Sequence, residues 1–320
     1  MDVRGLHRFL FDGIPVRGAA VRITSGWQEA LRRRAAVGAF AAPVRALIGE
    51  MTAAGMLMHA TIKFDGALVL QVHGDGPVKL AVAEVRSDLS FRATAKVVAE
   101  VAADARLPAL ANVHGGGRCA ITLDPRNRPP GTQPYQGVVP LFGDRREDLL
   151  DFSSVIEHYM LQSEQLDTKM ILAANDDVVA GLLLQRMPAA GLGNLAAGRD
   201  EDLIGVHEDF NRLAMLASTL TRDELLALDV DTLLHRLFWQ ERVQRFEAMP
   251  TRFACSCGRE RVQQMLRALG RDEVDDILAE QGGVEIGCDF CGAQYRFDAV
   301  DAAALFTPAI DHPPASTTLQ

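Results

Sequence analysis

Four cysteines in two close pairs, Cys255-Ser-Cys257 and Cys288-Asp-Phe-Cys291, separated by thirty residues, constrain this chain more than any other feature. Zinc takes four ligands in a tetrahedron, and thiolates suit it. Glycines follow or precede the pairs, at Gly258, Gly287 and Gly292, and let the backbone turn tightly around an ion. The pattern predicts one Zn2+ per chain, held by Cys255, Cys257, Cys288 and Cys291. Most zinc sites made of four cysteines are structural, so spacing alone leaves the role of this one open.

The compartment matters to that reading. No apolar run approaches the length of a membrane span, and the first residues, MDVRGLHRFLFDGIPVRG, lack the apolar stretch and small-residue cleavage site of a signal peptide. The expectation is a soluble cytoplasmic protein, where thiols stay reduced and clustered cysteines mean metal or redox chemistry rather than a disulfide framework. A net charge of −9 argues against nucleic acid as a partner and gives no support for an anionic membrane. With 320 residues, 48% of them apolar, the chain can hold two domains, or one domain plus a module.

The first part of the chain reads as α+β. Pro43 suits the first turn of a helix in which Val44, Leu47, Ile48 and Met51 recur at helical spacing. ALVLQV and VKLAVAEV flank His73-Gly74-Asp75-Gly76-Pro77 as a hairpin, SFRATAKV adds a strand, and Cys119 to Leu123 alternates like another. Arg126 to Pro134 is a proline-rich loop, YQGVVPLF a strand, Ser153 to Leu166 a helix, and KMILAAN with VVAGLLLQRM a second hairpin. No regular βαβ alternation appears, so the predicted domain, residues 1–190, carries a mainly antiparallel sheet with packed helices.

Residues 189–199 are small and Gly-rich, a boundary signal. Beyond them the chain turns helical and charged, with 11 acidic and 6 basic residues between 199 and 249, and Thr221-Arg222-Asp223-Glu224 forms a capping-box pattern. Leu225, Leu226, Leu228, Leu233, Leu234, Leu237 and Phe238 supply apolar surface. This helical linker, residues 191–250, is too small and charged to hold a core alone, so its apolar faces need a neighbour. The zinc module follows at 251–306, and a Pro/Ser/Thr-rich tail at 307–320 is predicted to be disordered.

Other features carry less. Cys119 reads as a buried core cysteine, and Met51, Met56 and Met58 as core residues of a helix. His114-Gly115-Gly116-Gly117 has neither a Gly-x-Ser-x-Gly partner nor a following Gly-Lys-Ser/Thr, so it is a turn rather than an oxyanion hole or phosphate loop. The histidines are scattered, His312 lies in the tail, and no carboxylate pair stands out. The chain is not expected to be an enzyme.

The module from Arg252 to Phe306 resembles the redox-switch domain of the thirty-three-kilodalton heat-shock chaperone family, which carries Cys-x-Cys, a spacer of this order and Cys-x-x-Cys. FLFDGIPVRG, TIKFDGALVLQVHGDGPVKL, YQGVVPL, HYMLQSEQL, AGLLLQRMP and LLHRLFWQERVQRFE are similar to that family too, in the same order. The resemblance implies an ATP-independent holdase that is inactive when reduced and zinc-bound. Oxidation of the cysteines releases zinc, unfolds switch and linker, and exposes surface for unfolded client proteins; active forms are homodimers. It also implies Cys255–Cys257 and Cys288–Cys291 disulfides in the oxidised state.

Physical chemistry supports such a switch. Zinc holds thiolates, the form that reacts with oxidants, and its binding energy is folding energy, about 10–16 kcal/mol in small zinc peptides. Local disulfides close tiny rings and leave the two halves of the module untied, whereas cross-pairing, such as Cys255 with Cys288, preserves the tie. Loss of the module deprives the 200–250 segment of a neighbour; the bland alternative for that segment is an ordinary helical connector. Two other function classes compete. A thiol-disulfide oxidoreductase would depend on Cys288 and Cys291 alone. A zinc-ribbon adaptor for nucleic acid conflicts with the 6 basic and 10 acidic residues between 252 and 301.

Overall fold

A computed structural model describes residues 5–129, 131–187 and 204–306. The Gly-rich 189–199 boundary and the 307–320 tail lie outside the described residues. In chain order the elements are β1 (Gly5–Phe11), β2 (Val16–Ile23), α1 (Ser25–Ala35), α2 (Ala42–Thr61), β3 (Gly66–His73), β4 (Val78–Arg86), β5 (Ser90–Val97), α3 (Leu107–Ala111), β6 (Arg118–Pro125), β7 (Tyr135–Pro140), α4 (Phe152–Glu164), β8 (Thr168–Ala174) and β9 (Val179–Arg186). Then come α5 (Ile204–Ser218), α6 (Arg222–Ala227), α7 (Val230–Phe238), β10 (Val243–Arg245), β11 (Arg252–Phe253), α8 (Arg259–Leu269), α9 (Arg271–Gln281), β12 (Val284–Gly287), β13 (Gln294–Phe297) and α10 (Ala299–Phe306). The class is α+β, as expected. The chain divides into two compact units, ending and beginning at Ala254 and Cys255.

The first unit holds two sheets where the sequence suggested one. The strand order is β10-β1-β2-β9-β8 in the first sheet and β11-β5-β4-β3-β6-β7 in the second. All neighbours are antiparallel except β11 and β5. The element that separates the sheets is α2. Pro43 sits in its first turn, and burial runs all round it, from Val44 and Leu47 to Met51, Met56 and Met58. Small residues make the fit possible. A Cβ at Gly49 would stand 2.5 Å from the Cβ of Ala174, and one at Gly55 would stand 2.9 Å from a Val85 methyl. The helix therefore lies flush against β8 on one side and β4 on the other.

Alternation along β2 gives the first sheet two different faces. Ala19, Val21 and Ile23 join the core around α2, while Val16 and Ala20 join a second core on the opposite face. That second core is completed by α5–α7. Leu213, Leu225, Leu233, Leu234, Leu237 and Phe238 pack there with Phe9, Phe11, Leu182 and Leu184. The Phe11 and Phe238 rings meet edge to face at 5.1 Å. The neighbour that the charged linker segment requires is thus the outer face of the β1–β2–β9 sheet.

Local chemistry sets the linker helices. The Thr221 hydroxyl accepts from the Glu224 N–H and the Glu224 carboxylate accepts from the Thr221 N–H, so the capping box is complete. Asp229 caps α7 by accepting from the Thr232 N–H at 2.8 Å. Two arginines then pin α6 at both ends. From β2, Arg22 donates to the Leu225 and Leu228 carbonyls at the helix C-terminus, at 3.3 and 3.1 Å. From α6 itself, Arg222 reaches Glu50 of α2 at 3.1 Å and the Ala174 carbonyl of β8.

The second unit is small. Val262, Leu266, Val274, Val284, Phe297, Ala302 and Leu305 make up its buried apolar cluster. Arg259 ties its parts together: its guanidinium lies 4.2 Å from the Phe297 ring centre, donates to the Arg296 carbonyl at 2.8 Å and pairs with Asp301 at 2.7 Å. Among the described residues no helix is long and apolar enough to cross a membrane.

Candidate metal centre

The two cysteine pairs come from different local structures. Cys255 and Cys257 precede α8, whose N-cap is Gly258, so the partial positive end of that helix begins one residue after the second thiol. Cys288 and Cys291 sit in the turn joining β12 to β13. The Cys288 N–H donates to the Ala293 carbonyl at 2.9 Å and the Gly292 N–H to the Cys288 carbonyl at 2.7 Å, with Gly292 at φ +70°. Of the three flanking glycines, Gly292 is the one whose positive φ demands glycine.

Folding of the unit brings all four sulfurs within 4.8 Å of one another. Cys255 Sγ lies 3.6 Å from Cys288 Sγ, and Cys257 Sγ lies 3.3 Å from Cys291 Sγ. A disulfide needs about 2.05 Å, so these are free thiols. A tetrahedral Zn2+ with Zn–S bonds of about 2.3 Å has sulfur–sulfur edges of about 3.8 Å. The cluster has the right size and donor set for that ion, and the second unit, with its small buried core, is of the kind that needs one.

Electrostatics within the cluster point the same way. Burial pushes the Cys255 thiol up, and the neighbouring Cys288 thiol adds to this. Burial and the surrounding thiols also push Cys291 up. Cys257 goes the other way: burial opposes its ionisation, yet hydrogen bonds from the Tyr295 hydroxyl and the other thiols outweigh burial and bring it to about 7. The neighbouring thiols thus hold Cys255 and Cys291 in the neutral form, and a dication at the centre would favour thiolate ligands. Tyr295, on β13, was not picked out by spacing; a phenol four residues past a Cys-x-x-Cys pair carries no signal until the strand returns it to the cluster.

Cys119 is set apart from this group. It is buried in β6, and burial pushes its thiol up to about 12. The His114–Gly117 segment is a turn, held by the Asp75 carboxylate, which accepts from the His114 and Gly116 N–H groups at 3.1 and 2.7 Å. A cavity of about 980 Å³ in the first unit contains none of the four cysteines. Of the cations lining it, Arg45, Lys169 and Arg222 are paired, with Asp176, Glu157 and Glu50.

Comparison with known proteins adds an independent line. A family model described as Hsp33 protein matches residues 5–298. The chain is 45% identical over 301 residues to a 33 kDa chaperonin of Chromobacterium violaceum, covering 94% of this chain and 93% of that one. It is 43% identical over 309 residues to a 33 kDa chaperonin of Methylobacillus flagellatus, covering 96% of each. A crystal structure of a 33 kDa chaperonin from Thermotoga maritima superimposes with a TM-score of 0.72 at 19% identity, over 94% of this chain and 97% of that one, which is a likeness of fold.

Proposed function

Because this chain belongs to the Hsp33 protein family, we propose that it is a redox-gated, ATP-independent holdase of the cytoplasm that keeps unfolded client proteins from aggregating during oxidative stress. The observation that carries this reading is the convergence of Cys255, Cys257, Cys288 and Cys291 in a unit with a small buried apolar core. Zn2+ held by the four thiolates would cross-link the chain before α8 to the β12–β13 turn and keep the sulfurs in their reactive, ionised form. Residues 1–190 serve as the chaperone core, 191–250 as the releasable segment and 251–306 as the switch, followed by the 307–320 tail.

Activation is a four-electron oxidation. Each disulfide forms as two thiolates give up two electrons, which a peroxide takes together with two protons from solvent to become two waters. The proposed bridges are Cys255–Cys257 and Cys288–Cys291. Loss of the thiolates removes the metal's ligands, and bridges this short leave nothing to hold the switch unit together. Unfolding then reaches α5–α7, and their departure uncovers Phe9, Phe11, Leu182 and Leu184 on the outer sheet face. The active form is proposed to be a homodimer, with no nucleic-acid or membrane partner and no catalytic turnover.

The competing oxidoreductase reading finds less support. A redox-active Cys-x-x-Cys pair gains its low pKa from a helix N-terminus, and here that pair occupies a hairpin turn. The test is light scattering of a denaturing client with reduced and with peroxide-treated protein, with zinc release measured on the same oxidised sample. Suppression only after oxidation, together with about one zinc released per chain, is the expected result. Equal suppression in both states would remove the switch.

A further inference from the structure

Strand β2 carries a charge on its core side. Its residues alternate, so Arg17 shares a face with Ala19, Val21 and Ile23, all of which belong to the core around α2. A guanidinium in such a place is ordinarily paired with an acid. Arg17 is not. Its Nε and Nη2 both donate to the side-chain oxygen of Gln185, its cross-strand partner on β9, with Nε at 3.1 Å. Gln185 is buried, 1% exposed, and its amide nitrogen is spent on the Thr168 hydroxyl at 2.9 Å. Among the described residues no carboxylate stands within ion-pair distance of Arg17, and burial alone pushes its pKa down. A neutral amide thus holds a cation in place without neutralising it.

Beside that guanidinium is a cavity of about 110 Å³, lined by Arg17 and Gln185 at the sheet and by Met58, Leu68, Ile121 and Leu123 along its apolar walls. The wall also contains Tyr135, Tyr159 and Glu164. That carboxylate is already engaged, its Oε1 accepting from the Tyr159 and Tyr135 hydroxyls at 2.7 and 3.1 Å. Space for one water takes about 10–15 Å³ on this measure, so the cavity admits about seven to eleven heavy atoms. This is too small for a cofactor and well matched to a compact amphiphile.

We propose that the cavity binds a small monocarboxylate with a short apolar tail, the carboxylate on the Arg17 guanidinium and the tail between Met58, Leu68, Ile121 and Leu123. Arginine recognises a carboxylate through paired N–H donors, and such a charge-assisted contact is strongest where water is excluded. Two sources carry this chemistry: a free short-chain fatty acid, or the C-terminal residue of an unfolded polypeptide.

The probes are sodium hexanoate and hexanamide, and N-acetyl-valine and N-acetyl-valinamide, titrated into the reduced full-length protein and read by calorimetry and by the shift in melting temperature. Reduced protein is used so that binding is read independently of redox activation. At least one carboxylate is expected to bind with Kd at or below about 1 mM, and its own amide, which lacks the charge, about tenfold or more weaker. Hexanoate alone binding identifies the fatty-acid source, and N-acetyl-valine binding identifies the chain terminus. Arg17→Gln is expected to lose the preference for carboxylate over amide, and Leu123→Phe, which fills the slot and leaves Arg17 in place, to lose binding of both. Should Arg17→Gln fail to fold, the comparison of acid with amide on the unaltered protein decides alone. Equal affinity of a bound acid and its own amide, or no heat and no thermal shift with any probe at about 20 mM, overturns the proposal.

Discussion

Cys257 Sγ lies 3.3 Å from Cys291 Sγ, although 34 positions of sequence separate the two residues. Cys255 and Cys288 stand in the same relation at 3.6 Å. All four sulfurs lie within 4.8 Å of one another, so proximity in the reduced unit does not by itself choose between cross-pairs and the proposed bridges within the pairs. Peptide mapping of the active, oxidised protein is expected to find Cys255–Cys257 and Cys288–Cys291. Cross-pairs in an active sample would show that chaperone activity does not need the two halves untied.

Removing one ligand is expected to undo the second unit while sparing the first. Cys257→Ser should lower zinc content from about one per chain to near zero and abolish protection of 255–306 in hydrogen exchange, since metal binding of this kind contributes on the order of 10 kcal/mol or more. Strands β3 to β6 should keep theirs. Full zinc occupancy in this variant would break the assignment of the site.

Arg22 is expected to matter more than its surface charge suggests. Its contacts with the Leu225 and Leu228 carbonyls close the end of α6. Arg22→Ala should destabilise the docked segment by about 1–3 kcal/mol, because it leaves helix-end carbonyls without a donor. Faster exchange in 222–238 and measurable client protection before oxidation are the expected readings. Unchanged exchange would mean that α6 is held by its apolar contacts alone.

Glu50 gives the dock a pH dependence. Burial raises its pKa from 4.5 to about 7, against the opposing pull of Arg222 and Arg106. The folded chain therefore holds this proton more tightly than an unfolded one does. The resulting stabilisation is complete below about pH 4.5 and is lost as the pH rises through 7, an effect of roughly 3 kcal/mol at most. Glu50→Gln cannot ionise, so its unfolding midpoint should fall less than that of the parent between pH 5 and 8. Parallel curves would place the burden elsewhere.

Cys119 is expected to be silent. With its thiol buried and pushed up to about 12, it has almost no thiolate at neutral pH. Alkylation of the reduced, metal-free protein should label Cys255, Cys257, Cys288 and Cys291 first, and Cys119 only at the rate of global unfolding. Labelling of Cys119 at the same rate as the others would show that β6 opens in the native state.

The parts of the fold that sequence made legible are those governed by local rules. Pro43 and the Val44–Leu47–Ile48–Met51 spacing locate α2, the turn at His73–Pro77 locates the β3–β4 hairpin, and the Thr221–Glu224 box marks the start of α6. The four ligands are legible because zinc demands a fixed number of a rare residue. What stayed hidden is non-local. β11 has only Arg252 and Phe253 and pairs with Ser90 and Phe91 far upstream, so no periodicity can announce it. The division into two sheets depends on Gly49 and Gly55, which read as helix-weakening residues until their close approaches are known. Tyr295 and Arg17 belong to the same class, since each takes its meaning from a residue distant in sequence, Cys257 and Gln185.

The two-faced first sheet has a consequence for how the molecule comes apart. Its cores share no buried residue: one closes around α2, the other under α5–α7. Sheet hydrogen bonds and the inner core form one block, and under the proposed mechanism the outer helices form another that opens at lower free energy. When the outer block opens, the uncovered surface is a rigid lattice of Phe9, Phe11, Leu182 and Leu184 at fixed strand spacing, still anchored from behind. A chain in collapse would meet an ordered template rather than a molten patch, and the protein offering it would keep the architecture it needs to close again.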